Sequence, residues 1–135
     1  MKTILIISAI CICVGALSIK DFQNAIRMGQ SICMAKTGIN KQIINDVNDG
    51  KINIEDENVQ LYIECAMKKF SFVDKDGNFN EHVSREIAKI FLNENEINQL
   101  ITECSAISDT NVHLKITKIF QCITKFKTIN DILNS

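Results

Sequence analysis

The sequence predicts an all-α fold: a compact bundle of about six helices followed by a C-terminal apolar tail or short helix. Apolar residues recur at three- and four-residue spacing in segment after segment, the period of a helix with one buried face. Asn, Asp and Ser stand just ahead of those segments, where a side-chain oxygen can accept from the free N–H groups of a first helical turn. Proline is absent from the 135 residues and glycine occurs only five times. No alternating apolar and polar run flanks a hairpin dipeptide, so strands find no support.

Ser18 with Asp21 makes a capping-box-like start to a first helix over about Ile19 to Ala35. Ile19, Phe22, Ile26, Gly29 and Cys33 form its stripe, and Gly38 ends the segment. Asn40 caps a short second helix with Ile43, Ile44 and Val47 inward, closed by the Asp49-Gly50 turn. The third helix, roughly Asp56 to Phe72, has Glu55, Asp56 and Glu57 at its start and Lys68 and Lys69 at its end, so its charges oppose the helix dipole. Val59, Ile63, Ala66, Met67 and Phe70 share its buried face, while Leu61 and Cys65 lie four apart on a neighbouring one. The following Asp74-Lys75-Asp76-Gly77-Asn78-Phe79-Asn80 resembles half of a calcium loop. Counted from Asp74, however, Phe79 stands where glycine is required and Arg85 where a bidentate Glu is required. A polar turn ending in an Asn80 cap is expected instead. A fourth helix over about Glu81 to Leu92 buries Val83, Ile87, Ile90 and Phe91. Asn93 and Glu96 form the next capping box, ahead of a fifth helix with Ile97, Leu100, Ile101 and Cys104 inward. After a loop over 105–110, Asn111 or Asp109 caps a sixth helix whose Val112, Ile116, Ile119, Phe120, Ile123 and Phe126 make the most continuous apolar stripe in the chain. Ile129, Ile132 and Leu133 then form a tail too apolar to stay solvated, and it is expected to dock.

Residues 1–16 read as a secretory signal peptide. Lys2 supplies the positive start, Ile4 to Val14 the apolar core and Val14-Gly15-Ala16 the small-residue exit, which places cleavage after Ala16 and a single helical domain over 17–135. The apolar run is shorter than the roughly 20 residues a spanning helix needs. Cleavage removes Cys11 and Cys13 and leaves Cys33, Cys65, Cys104 and Cys122, an even number in an oxidising compartment. No two of these have the close spacing of a zinc finger, so no metal is expected. Four cysteines allow three pairings. Cys33–Cys65 with Cys104–Cys122 would link consecutive helical layers, each closure contributing about 3–4 kcal/mol.

Of the 15 basic residues Lys2 leaves with the leader, so 14 basic face 16 acidic residues, mixed along the chain without a basic block. Nucleic acid and anionic membrane surfaces are disfavoured as partners.

The spacing Cys33–(31 residues)–Cys65–(38)–Cys104–(17)–Cys122, behind a signal peptide and within an all-helical pattern, resembles the insect odorant-binding proteins of the pheromone-binding and general odorant-binding superfamily. Most members carry six cysteines, with a second cysteine four positions before the third and a fifth nine positions before the last. Here those positions hold Leu61 and His113. Both partners of one bridge are therefore missing together, the pattern of the Minus-C subgroup. Val-Gln-Leu-Tyr-Ile-Glu-Cys (59–65) and His-Leu-Lys (113–115) look most like honeybee-type members. The resemblance covers essentially all of 17–135. It implies a closed bundle around an apolar cavity, with no cofactor, that carries small hydrophobic molecules such as odorants, pheromones or lipid-like compounds. It admits a membrane odorant receptor as a partner, and a monomer or weak homodimer as the working form.

The cavity candidates are inward apolar residues of the third to sixth helices and the tail: Ile63, Met67, Val83, Ile87, Ile90, Phe91, Leu100, Ile101, Ile116, Ile119, Phe120 and Ile132. Plain core packing competes with cavity lining at each, and Met67 adds an adaptable thioether. Tyr62 and His113 are candidate polar handles, set against a surface-facing Tyr and a His merely filling the vacated bridge position. An enzyme finds little support. Neither His82 nor His113 has the cysteine-flanked helix and glycine-rich calcium loop of a small secreted lipase, and no Ser/His/Asp or Cys/His constellation can be assembled. A secreted helical interaction protein without a cavity is the rival reading, because fold alone does not fix function.

Overall fold

The computed structural model describes residues 18–135; the expected signal peptide, the expected cleavage after Ala16, Cys11 and Cys13 lie outside them. Among the described residues seven helices follow one another: α1 (Ile19–Thr37), α2 (Lys41–Asn48), α3 (Glu57–Lys69), α4 (Glu81–Ala88), α5 (Glu94–Ser105), α6 (Val112–Thr124) and the short α7 (Ile129–Leu133). No strand occurs among the described residues, only an isolated bridge between Val73 and Phe79. Six helices and a docked terminal one are what the apolar stripes and caps anticipate.

Side chains that satisfy the orphan N–H groups set where the helices begin. Ser18 Oγ accepts from the Asp21 N–H at 3.0 Å, and Asp56, Asn80 and Asn111 cap α3, α4 and α6. Of the two residues considered for α6, Asn111 is the cap, while Asp109 Oδ1 accepts the Asn111 N–H at 2.9 Å. Full capping boxes open α5, from Asn93 and Glu96, and α7, from Thr128 and Asp131.

Three ends differ from the periodicity. α1 continues through Thr37, because Gly38 takes a left-handed φ of 69° and returns its N–H to the Met34 carbonyl only there. α3 stops at Lys69 rather than Phe72, since Ser71 has a φ of 60° and reverses the chain without a glycine. α4 stops at Ala88, after which Phe91 and Leu92 both donate to the Ala88 carbonyl in a tight turn that feeds the Asn93 cap. The 74–80 segment is the expected polar turn: Asp74 Oδ1 accepts the N–H groups of Asp76 and Asn78 at 2.8 and 2.9 Å.

α3 is central and packs on both α6 and α1, while α5 packs on α6 and α4. Cys33–Cys65 ties α1 to α3 and Cys104–Cys122 ties α5 to α6, with Cα separations of 5.8 and 5.7 Å. The pairing of neighbours is thus the one adopted. Beneath these staples, Val59, Ile63, Ile116 and Ile119 form the centre of the largest apolar cluster. Ile19 and Val112 depart from their stripes. Each occupies the first turn of its helix, beyond the core, and Ile19 is 40% exposed.

Candidate ligand cavity

A cavity of about 100 Å³ lies inside the bundle, and every one of the seven helices contributes to its wall. α1 supplies Phe22, Ile26 and Gln30, and α2 supplies Val47 and Asn48. From α3 come Tyr62, Ile63, Ala66 and Met67, and Phe70 and Phe72 follow from the reversal at Ser71. α4 and the turn after it supply Ser84, Ile87, Ala88, Phe91 and Leu92, and α5 adds Leu100. Phe120, Ile123 and Thr124 of α6, Lys127, and Ile129 and Ile132 of α7 complete the wall. Phe22 anchors an aromatic group at one side, its ring centroid 5.7 Å from those of both Phe70 and Phe91, close enough for favourable tilted or edge contacts.

α7 reaches the wall because its backbone is tethered. Gln23 Nε2 of α1 donates to the Ile132 and Ser135 carbonyls at 2.8 and 3.3 Å, and Asn130 of α7 donates to Asp49 beyond α2. No residue of α7 is fully buried, so this part of the wall also meets solvent.

Of the candidate lining residues, the structure brings together Ile63, Met67, Ile87, Phe91, Leu100, Phe120 and Ile132 around the cavity. Ile116 and Ile119 lie outside its wall. They are fully buried where α6 meets α3, closed in by Val59, Val73 and Cys33, so their inward face meets protein instead of a void. Ile101 packs with Ile97 and Cys104, and Val83 packs in the cluster that holds Phe22 and Ile26. Ile90 is only half-buried, in the turn beyond α4. Leu61, at one missing-bridge position, is 47% exposed.

Tyr62 does not face the surface: it is 2% exposed, and burial pushes its hydroxyl up to about 12. It follows Leu61 by one residue, and that 100° step along α3 turns it from solvent to interior. Ser84 drew no attention in the sequence, yet it shares the inner face of α4 with Ile87, three residues on. A small polar residue within an apolar stripe was the available signal. Phe70 lies on the face that the apolar stripe of α3 predicts, whereas nothing in the sequence marks Ser71 as the left-handed turn residue that precedes Phe72.

His113 stands outside the cavity, its ring nitrogen paired with Glu64 of α3 while Lys68 holds the other carboxylate oxygen at 2.7 Å. Burial alone would raise the Glu64 carboxyl. The hydrogen bonds from Lys68 and His113 outweigh it and hold the group below its ordinary value. A side-chain hydrogen bond between His113 and Glu64 therefore joins α3 to α6 beside the position where a third bridge would sit. Among the described residues no three His, Cys, Asp or Glu side chains cluster to hold a metal, and no helix is long and apolar enough to cross a membrane.

A doubly bridged helical bundle built around a largely apolar pocket has the concave, apolar kind of site that small molecules occupy. The chain belongs to the PBP/GOBP family, whose model matches residues 16–126. Proteins of this family are secreted, soluble carriers of small hydrophobic ligands and are not enzymes.

Proposed function

We propose that this protein is a secreted carrier of the Minus-C type, which takes up small hydrophobic molecules, odorants or pheromones among them, in its internal cavity and moves them through aqueous extracellular fluid. The observation that carries this reading is the cavity itself, an almost wholly apolar void reached by all seven helices. An engineered void of about 150 Å³ accepts benzene; at about 100 Å³ this one is smaller, so only the most compact volatile molecules match the space as it stands. Larger ones require Met67, the Phe22–Phe70–Phe91 group or α7 to yield.

Affinity comes from apolar area removed from water, about 25 cal/mol per Å². An apolar wall gives little directional discrimination, and broad selectivity follows. Two disulfides favour an oxidising compartment, and the short apolar leader with its small-residue exit supports secretion. The exposed large apolar residues Ile19, Met28, Leu61 and Val112 give the rival interaction-protein reading no specific support.

The test is displacement of a fluorescent apolar probe from the oxidised protein by a panel of terpenoids, phenylpropanoids and fatty-acid derivatives. Saturable binding near one probe per chain, reversed by some of these compounds, is expected. A folded, doubly bridged protein that takes up no probe would refute the carrier reading.

A further inference from the structure

The two disulfides differ in how deeply the fold seals them. In Cys104–Cys122 both residues are buried, at 0% and 4% exposed. In Cys33–Cys65 only Cys33 is sealed, at 0%, while Cys65 is partly exposed. Cys65 stands in the middle of α3, and a mid-helix residue meets solvent with its side chain in preference to its backbone, which the hydrogen-bonded turns cover. Its surroundings are basic. Lys68 and Lys69 follow Cys65 by one turn of α3, and Lys36 follows Cys33 by one turn of α1. Burial and the charge of Lys36 hold the Lys69 ammonium below its ordinary value, so these lysines of the two helices stand near each other. Glu64, the carboxylate next to Cys65, is already engaged by Lys68 and His113. Partly exposed sulfur in electropositive surroundings is the setting in which thiol chemistry proceeds readily, and exposure and positive charge coincide only at this bridge.

We infer that Cys33–Cys65 is a thiol-exchange site, at which a small thiolate opens the bridge by attacking Cys65 while Cys104–Cys122 stays closed. A thiolate attacks a disulfide sulfur that it can reach, in line with the sulfur that leaves. Cys65 is the solvent side of this bridge, so the new S–S bond forms to Cys65 Sγ. The Cys33–Cys65 bond breaks, and Cys33 Sγ leaves with the bonding pair and is protonated by water. A second thiolate then attacks the reagent's sulfur in the mixed disulfide and releases Cys65. Two small thiols are thereby oxidised to one disulfide as one bridge is reduced to two thiols. The reactant is a low-molecular-weight thiol, and an anionic one such as glutathione suits the lysines. The bond that yields is the one fastening α1, which supplies Phe22 and Ile26 of the cavity wall and, through Gln23, holds the backbone of α7. The inference rests on the two bridges and stands whether or not the cavity carries a guest.

The experiment exposes the full oxidised protein to reduced glutathione without denaturant, stops samples at intervals with excess N-ethylmaleimide, and locates the modified cysteines by peptide mass spectrometry. Cys33–Cys65 is expected to open about tenfold or more faster than Cys104–Cys122, because exchange depends on access to the attacked sulfur. Chains caught halfway should carry glutathione on Cys65 and maleimide on Cys33. In concentrated urea both bridges are accessible, and the preference should shrink to about twofold, the residue of closing loops with sequence separations of 32 and 18. Equal opening rates in the folded protein, or earlier opening of Cys104–Cys122, would overturn the inference. Glutathione on Cys33 with maleimide on Cys65 would overturn the direction of attack. The same large preference persisting in urea would place its origin in the local sequence and overturn the role given to burial.

Discussion

Replacing Leu61 and His113 together by cysteine should form a third bridge between α3 and α6. His113 already pairs with Glu64, and Leu61 stands one turn before Glu64 on the same side of α3, so the two positions face the same seam. The new link would join residues 52 apart in the chain, and closing a loop of that length removes about 4 kcal/mol of unfolded-state entropy. Two losses reduce the gain. Leu61 is about half exposed, and giving up its remaining burial costs about 1 kcal/mol. The half-exposed His113 gives up its hydrogen bond to Glu64, worth up to about 1 kcal/mol. The net of about 2 kcal/mol should raise the thermal midpoint by about 6–12 °C for a domain of this size. Mass spectrometry with and without thiol alkylation reports whether the bridge closes, and thermal denaturation monitored by helical circular dichroism reports the shift. Free thiols in the folded, oxidised double variant would refute the placement of the two positions on one seam. A closed bridge with an unchanged or lowered midpoint would refute the loop-entropy reasoning.

The Glu64 carboxyl is held below its ordinary value near 4.5, so its contribution to stability is complete above that pH and is lost as pH falls through the depressed folded value. Glu64→Gln should therefore be less stable than the parent by about 0.5–1 kcal/mol at neutral pH, with the gap closing in urea titrations toward pH 3; a gap that widens on acidification would contradict the network. Gly77 combines a φ of 84° with space so tight that an added Cβ would lie 2.5 Å from Val112 Cγ2. Gly77→Ala should cost about 2–3 kcal/mol from left-handed strain and displacement of Val112, and a neutral result in chemical denaturation would contradict the turn geometry. Ending the chain at Lys127 removes the half-buried Ile129, Ile132 and Leu133, which should lower stability by about 2–3 kcal/mol and weaken probe binding while the helical spectrum persists. Unchanged probe affinity would exclude α7 from the binding wall.

Helix positions, caps and the two bridges were legible in the sequence because each depends on local chemistry: an Asn or Asp ahead of a stripe, a glycine after it, cysteines on consecutive helices. The direction of an apolar face was legible too. What that face meets was not. Ile116 and Phe120 share one stripe of α6, yet the first is sealed against α3 and the second borders the void. That difference arises from how far apart the helices stand, a tertiary property that periodicity does not encode. Tyr62 sits between exposed Leu61 and buried Ile63, where either orientation suits a helix, and only the placement of the neighbouring helices decides for the interior. Phe72 reaches the wall after a left-handed serine, a conformation with no reliable residue signature.

The two disulfides join α1 to α3 and α5 to α6 and leave α2, α4 and α7 without a covalent tie. Regarded as a graph, the molecule has two locked pairs and three free nodes, and the free nodes carry Val47, Ser84, Ile87, Ile129 and Ile132 of the wall. Breathing of those three helices changes the volume of the container while the locked pairs keep its frame. A guest taken up as proposed would thus pass a side that yields by non-covalent rearrangement, with no bond broken.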